Sequence, residues 1–316
     1  MTYSVGGLIQ ATDYNGFVST TAGANINATW STGTGDAGWG QTAIGTVAAG
    51  GTVTATQWAS LVNTLSSMGS QTNTTITART APTTGTTIAV LAAVNTDITN
   101  CYTNRGNAAA SGAQYTTSGS SVPIAEAANP AGWTMTFTQV IDFTTAAQAR
   151  YFWNAGGRAQ ITMSKTGTTY DKDPDWNTFV GTVGTINFVG RVAGAAQTIA
   201  GTSYSGTSVS GNTGSPTIAT TTGWYTLTPG AAATQIFLMY DPTSPYTGDY
   251  IQVFAQVNAG STTITFTTYW RDAGYSGDGK SNQTSAGGAV ALSYYPPSTT
   301  YLTSTWGTPT LSSSVA

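Results

Sequence analysis

The side chains that could do chemistry in this chain are few, and most of them are carboxylates. The 316-residue sequence contains no histidine, which excludes a Ser-His-Asp triad, a Cys-His pair and a histidine-based zinc site. Its single cysteine, Cys101, cannot complete a thiolate zinc or iron–sulfur site. Because Glu126 is the one glutamate, a carboxylate pair for glycoside hydrolysis would need aspartates such as Asp142 or Asp175, and no motif brings two carboxylates together. We therefore expect a protein that is not an enzyme, with no catalytic residue, no cofactor and no metal site.

In the densest group of acids, aspartates alternate at Asp171, Asp173 and Asp175. Alternating aspartates open a calcium loop, but Trp176 stands at the sixth position, where such a loop needs glycine. Thr182 stands at the twelfth position, where it needs glutamate, so the segment is not an EF-hand. We interpret it as a solvated loop whose charge is offset by nearby lysines; an adventitious calcium site is the alternative.

Composition limits the classes of partner. Charged residues make up 7% of the chain and the formal net charge is −3, so we expect no basic patch and no nucleic-acid partner. Aromatic residues make up 11%, which indicates packed structure rather than disorder. A neutral surface rich in threonine and glycine is typical of adhesins, surface layers and virion proteins. We see no membrane span and no signal peptide, and expect assembly in a reducing cytoplasm.

The N-terminal part is predicted to be helical. Tyr14, Phe17 and Val18 share one face of a helix that follows Ala11, and 44 positions later the same pattern recurs around Trp58. The two copies predict a pair of related helices. Between them lies a segment with two tryptophans and several glycines, residues 30–41, which we interpret as an ordered loop; an aromatic sugar site is the alternative.

A third helix is predicted to begin near Thr86 or Thr87 and to run toward Cys101, because apolar residues recur at helical spacing. These residues are Ile88, Leu91, Ala92, Val94 and Ile98. Cys101 is expected to be a buried small hydrophobe, with a reactive thiol as the alternative. The helices would form an attachment or oligomerisation module over 1–110, followed by a loop or linker over 111–130 that is rich in small residues.

Beyond residue 130 apolar side chains alternate with polar ones, which predicts β-strands. The predicted strands are 133–141, 158–164, 184–192, 223–228, 235–240, 250–258, 262–271 and 288–295. One short helix, capped by Thr145 and ended before Gly156, is expected to place Trp153 against one end of the sheet core. The predicted fold class is therefore α+β: the small helical module, an antiparallel β-sandwich or jelly-roll domain over 131–300, and an irregular tail over 301–316.

Several short segments also carry a resemblance. They are Trp30 with the loop GTGDAGWGQ at 33–41, the helix start TATQW at 54–58, and the blocks at 149–157 and 184–188. These segments resemble virion structural proteins of tailed bacteriophages, including those of marine cyanophages. The chain departs from that pattern at Trp39, where a tyrosine is expected, and at 69–71, where basic residues or histidine are expected. The resemblance implies a packaged part of the tail, baseplate, neck or fibre and leaves open which one.

Our leading hypothesis is a non-enzymatic virion protein that assembles through its helical module and projects its β domain. Its expected partners are copies of itself, in a trimer or another closed ring, and other virion proteins. The alternative is a module that binds host glycans through exposed aromatic residues, with Trp176, Tyr204, Tyr246 and Tyr275 as candidates. A carboxylate-dependent glycosidase is the third hypothesis.

Overall fold

The structure, a computed structural model, describes residues 10–19, 25–84, 93–120, 132–167, 173–191, 197–274 and 287–316. Within these ranges the α-helices are α1 (Ala11–Val18), α2 (Ile26–Trp30), α3 (Ala55–Gln71), α4 (Val94–Thr103), α5 (Ala146–Asn154) and α6 (Asp173–Thr182). The strands are β1 (Tyr115–Ser120), β2 (Thr134–Asp142), β3 (Arg158–Lys165), β4 (Thr185–Val189), β5 (Gln197–Ile199), β6 (Thr202–Tyr204), β7 (Thr207–Ser210), β8 (Thr217–Ile218), β9 (Thr234–Tyr240), β10 (Tyr250–Val257), β11 (Thr263–Arg271), β12 (Gly288–Tyr295) and β13 (Thr310–Val315). The predicted α+β class is confirmed: small N-terminal helices precede an antiparallel β-sandwich.

The two related N-terminal segments form helices that pack on each other. In α3 the Thr54 hydroxyl accepts from the backbone N–H of Gln57, and the Gln57 side chain accepts from the N–H of Thr54, so both ends of the first turn are satisfied. The rings of Tyr14 and Phe17 in α1 lie 6.3 and 6.1 Å from that of Trp58 in α3. The repeated aromatic position therefore forms the contact between the two copies.

The third predicted helix is present, but the predicted start is wrong. Ala93 has a left-handed backbone with φ of 66°, so α4 begins at Val94. Most of the residues on which the earlier start depended, including Ile88, Leu91 and Ala92, lie outside the described residues. The prediction for Cys101 is confirmed, since its side chain is fully buried in the core. The short helix α2, which the apolar pattern did not indicate, packs against both α3 and α4.

Two sheets form the sandwich. One has the strand order β1-β12-β3-β4-β7, the other β13-β2-β11-β10-β9-β8, and every neighbouring pair is antiparallel. Their inner faces meet through aromatic side chains, as between Phe188 of β4 and Phe266 of β11, whose ring centroids are 5.3 Å apart. In β2, β10 and β11 buried residues alternate with partly exposed ones, as the sequence pattern predicts.

Both segments interpreted as irregular contain edge strands, so those interpretations are wrong. Within the predicted linker 111–130, Tyr115–Ser120 pairs with β12, and within the predicted tail 301–316, Thr310–Val315 pairs with β2. Backbone hydrogen bonds hold most of each strand, because both consist largely of small polar residues. The apolar contacts are few: Tyr115 stacks on Tyr294, and Leu311 and Val315 pack against the core. The strand predicted at 223–228 is also wrong, since Trp224–Thr226 is a 3₁₀ helix. The division into domains at residue 110 stays a prediction.

The acidic segment is not a solvated loop where the structure describes it. Asp173–Thr182 forms α6, which buries Trp176, Phe179 and Val180. Trp176 stacks on Trp270 of β11 at 5.9 Å between ring centroids. Asp171 lies outside the described residues. Proline in the first turn and apolar residues three and four positions apart are helix signals that the alternating aspartates obscured.

Helix α5 joins the two sheets to the helical unit. The Thr145 hydroxyl caps it by accepting from the N–H of Gln148, and Gly156, with φ of 101°, turns the chain into β3. Trp153 is fully buried and meets Phe188 at 5.7 Å, which confirms its predicted place in the sheet core. Side chains of the helical unit and of the sandwich belong to one continuous hydrophobic core.

Candidate interaction surface

Charged side chains concentrate where the helical unit meets the sandwich. Arg105 and Arg191 both pair with Asp36, each at 2.8 Å, and Arg150 donates to the carbonyl oxygens of Thr32 and Ala37. Burial lowers the pKa of the Arg191 guanidinium and the Asp36 carboxylate opposes that effect. These charges hold the glycine-rich loop 31–41 in place, so its interpretation as an ordered loop agrees with the structure.

Asn154 is the hydrogen-bonding centre of the same junction. Its Nδ2 donates to the carbonyl oxygens of Ala37 and Gly38, both at 3.0 Å, and its Oδ1 accepts from the hydroxyl of Tyr225. Its backbone carbonyl accepts from Trp39 Nε1 at 3.2 Å. Three distant parts of the chain therefore meet at one buried amide, which is a structural role.

A groove of about 480 Å³ lies beside this junction. Trp224, Leu227 and Val257 form its apolar wall, and Arg150 is the charged side chain among the described residues that line it. The Arg150 guanidinium is already bound to two carbonyl oxygens, so it is committed to the loop rather than presented to a ligand. The groove therefore offers little for recognising a charged molecule.

The broadest feature is the solvent side of the six-stranded sheet, which we call the outer face. It consists of every second residue from Thr134 to Asp142 in β2, from Thr263 to Arg271 in β11, from Tyr250 to Gln256 in β10 and from Thr310 to Ser314 in β13, with Gln235, Leu238 and Tyr240 in β9. The side chains of this face are exposed or half-buried. The alternate threonines of β2 and β11 on this face are exposed or half-buried, whereas Thr268 of β11 points inward and is buried.

Aromatic side chains run along the outer face. Tyr240 and Tyr250 lie directly opposite each other in the β9–β10 pair with ring centroids 5.7 Å apart, and Tyr240 is 54% exposed. Phe254 and Tyr269 form a second pair at 5.8 Å. The planes within the two pairs are inclined by 64° and 84°, so each pair is packed edge to face rather than laid flat.

The outer face carries two charges, one at each end of its central strands. Asp142 closes β2 and pairs in register with Thr263, whereas Arg271 closes β11 and pairs in register with Thr134. Because β2 and β11 are neighbours, the charges are about 27 Å apart along adjacent strands, at about 3.4 Å per residue. Everything between them is hydroxyl, amide, aromatic or aliphatic.

Comparison with models of protein families, with curated proteins and with solved structures finds no match to this chain. The outer face must therefore be interpreted from its own chemistry.

The structure brings none of the predicted sugar-binding residues together. Trp176 is buried in the core. Tyr204 is half-buried against a small apolar cluster of Ala108, Val189 and Ile199, and its hydroxyl accepts from Arg158. Tyr246 is half-buried in the turn between β9 and β10, and Tyr275 lies outside the described residues. Sequence reasoning missed Tyr240 and Tyr250. The alternation in β10 was a signal for the outward side of Tyr250, whereas four consecutive apolar residues in β9, 236–239, gave no such signal for Tyr240.

The acidic candidates are also dispersed. Asp142 lies on the outer face and Asp175 in α6, while Glu126 falls outside the described residues. In the described ranges no group of three or more histidine, cysteine or acidic side chains could hold a metal ion. Burial raises the pKa of the Cys101 thiol to about 11, with a hydrogen bond from Thr72 opposing and the charge of Asp97 adding to the shift. None of the described helices combines the length and apolar character that crossing a bilayer requires.

Proposed function

We propose that this chain is a non-enzymatic structural protein of a tailed-bacteriophage virion, a part of the tail, baseplate, neck or fibre that is assembled in the host cytoplasm. The resemblance of its short segments to such proteins gives the class. The chemistry of its surface supports a role in assembly. Its partners would be copies of itself and other virion proteins.

One observation carries the proposal: a broad sheet surface that holds aromatic and hydroxyl side chains and almost no charge. The cores of protein interfaces are depleted in charged residues and enriched in aromatic ones, and the outer face has both properties. A freely diffusing monomer keeps charges on such a surface to prevent association. The composition therefore favours a protein whose surface is covered in an assembly.

The longest of the described helices, α3, supports the same role for the N-terminal module. The 17 residues of α3 include no charged side chain, and its solvent side presents Thr56, Ser60, Asn63, Ser66 and Ser70. This hydroxyl and amide stripe suits packing against another protein, where backbone and side-chain hydrogen bonds can form without the cost of burying charge. We assign the attachment of the module to this side of α3.

The test is the composition of purified particles from the phage that encodes the chain. We expect mass spectrometry to find the protein at a fixed copy number, and electron microscopy of particles that lack its gene to show one missing or shortened part. An unrelated host protein of similar abundance serves as the control for contamination. Purified, infectious particles without the chain would refute the proposal.

The second candidate function is binding of host glycans, which the exposed ring of Tyr240 beside Tyr250 favours. The full chain should then bind host cells or immobilised glycans, and Tyr240→Ala should weaken that binding. Tyr301→Ala is the matched control, because Tyr301 is 39% exposed but lies off the outer face. Equal binding by the parent and both variants, or no binding by any of them, would exclude this function for Tyr240.

A further inference from the structure

We infer that the outer face is a two-fold interface with a second copy of this chain, in which Asp142 of one copy pairs with Arg271 of the other. The inference rests on the proposed role in assembly and names its partner and geometry. Three features carry it: the positions of the two charges, the size of the face and the arrangement of its rings.

The charges are self-complementary under a two-fold rotation. An axis that lies between two stacked sheets and runs across the strands reverses strand direction, so each end of one face meets the opposite end of the other. Asp142 of one copy then faces the Thr134 end of β2 in the other copy. Arg271 of that other copy lies beside its Thr134, on the neighbouring strand β11. The lateral offset is one strand spacing, about 4.8 Å, which an arginine side chain spans. Both symmetry-related pairs form at once.

The same axis crosses the strands at the residue pair Thr138 and Thr267, which lies midway between the two charges. Phe254 is in register with Thr267, so it lies at that level and meets Phe254 of the second copy. Its ring and that of Tyr269 would cover aliphatic atoms of Val140 and of the threonines across the interface. Aligned sheets in sandwiches pack in this way, about 10 Å apart and with strands within about 30° of each other.

The face is large enough for such a contact. Five strands at about 4.8 Å and nine residues at about 3.4 Å give a flat area of about 700 Å², close to the roughly 800 Å² per partner of a stable interface. A glycan is the weaker match, because the edge-to-face rings do not form the flat platform on which a sugar ring stacks. It also leaves the two opposed charges without a role.

The experiment measures self-association of the full chain by sedimentation velocity over a concentration series. We expect a dimer. Asp142→Arg or Arg271→Asp should raise its dissociation constant about tenfold, because like charges then face each other across the interface in both symmetry-related pairs. An equimolar mixture of these two variants should associate like the parent, because both opposite-charge pairs are restored in the heterodimer. Phe254→Glu, which brings two carboxylates to the axis, should raise the constant about a hundredfold or more.

Ser164→Arg is the control, because it adds charge to an exposed strand position of the other sheet. It should change the constant less than threefold. Each variant is first checked for an unchanged unfolding midpoint, since a misfolded chain cannot report on association. A monomer at every concentration, association that is indifferent to the outer-face changes, or a mixture no tighter than its separate components would each overturn the inference. These outcomes leave the chain's presence in particles untouched, and absence from particles leaves the dimer measurement untouched, so the two failures are distinguishable.

Discussion

Replacing Asn154 with alanine tests whether one amide joins the helical unit to the sandwich. Asn154 is 1% exposed, and its side chain contributes two bonds to the carbonyl oxygens of Ala37 and Gly38 and one from the hydroxyl of Tyr225. At about 1 kcal/mol for each bond, the loss is about 3 kcal/mol. The buried carbonyl and hydroxyl groups that lose their hydrogen-bond partner increase the loss further. We therefore expect the free energy of unfolding to fall by about 3 to 5 kcal/mol. The total stability of a protein is about 5 to 15 kcal/mol, so the change is easily measured.

Urea unfolding followed by tryptophan fluorescence gives this free energy. Asn63→Ala is the matched control, since Asn63 is exposed on α3, and it should change stability by no more than about 0.5 kcal/mol. Tyr225→Phe completes a double-mutant cycle with Asn154→Ala, in which we expect a coupling of about 1 kcal/mol. A loss below about 1 kcal/mol for Asn154→Ala, or additive effects in the cycle, would show that the junction does not depend on this amide.

Three further predictions concern the core. Trp153→Ala should cost about 3 to 5 kcal/mol in urea unfolding and Trp153→Phe clearly less, because Trp153 is fully buried against aromatic rings; equal costs would contradict this packing. Arg79→Ala should cost about 3 to 5 kcal/mol, because it strands the carboxylate of Asp97 in a pair whose side chains are 4% and 6% exposed; a neutral result would refute it. The free energy of unfolding should be level near neutral pH and fall in alkali, because burial raises the pKa of Cys101 from 9.0 to about 11 and that of Tyr294 from 10.0 to about 12, so the unfolded chain loses these protons first; stability that rises through this range would contradict the assignment.

Local patterns predicted the elements that bury an apolar stripe. The period of Trp58, Leu61 and Leu65 predicted α3, and the alternation in β2, β10 and β11 predicted the sheet positions and their inward sides. The N-cap predicted at Thr145 gave the correct start of α5. A segment with one buried face needs apolar residues at the spacing of its helix or strand, so this spacing is visible in the sequence.

Edge strands and short segments could not be found in this way. The residues of β1 and β13 have little apolar pattern, because these strands are held largely by backbone pairing with β12 and β2, and only Tyr115, Leu311 and Val315 add apolar contacts. The 3₁₀ helix at Trp224 contains the same aromatic and threonine residues as a strand. The conformation of such segments depends on the strand or loop that packs beside them. That partner is distant in the sequence, so a short stretch of sequence does not predict it.

For the candidate surface, the sequence by itself determined which types of side chain are available: few charges, many threonines, and aromatic residues in the strands. It could not select among the tyrosines, since Tyr204 and Tyr240 are equivalent in a local pattern. The tertiary structure decided that Tyr240, Phe254 and Tyr269 share one face, and that Asp142 and Arg271, 129 positions apart, stand at its opposite ends. Strand order and register are long-range properties of the chain, and they determine which side chains meet.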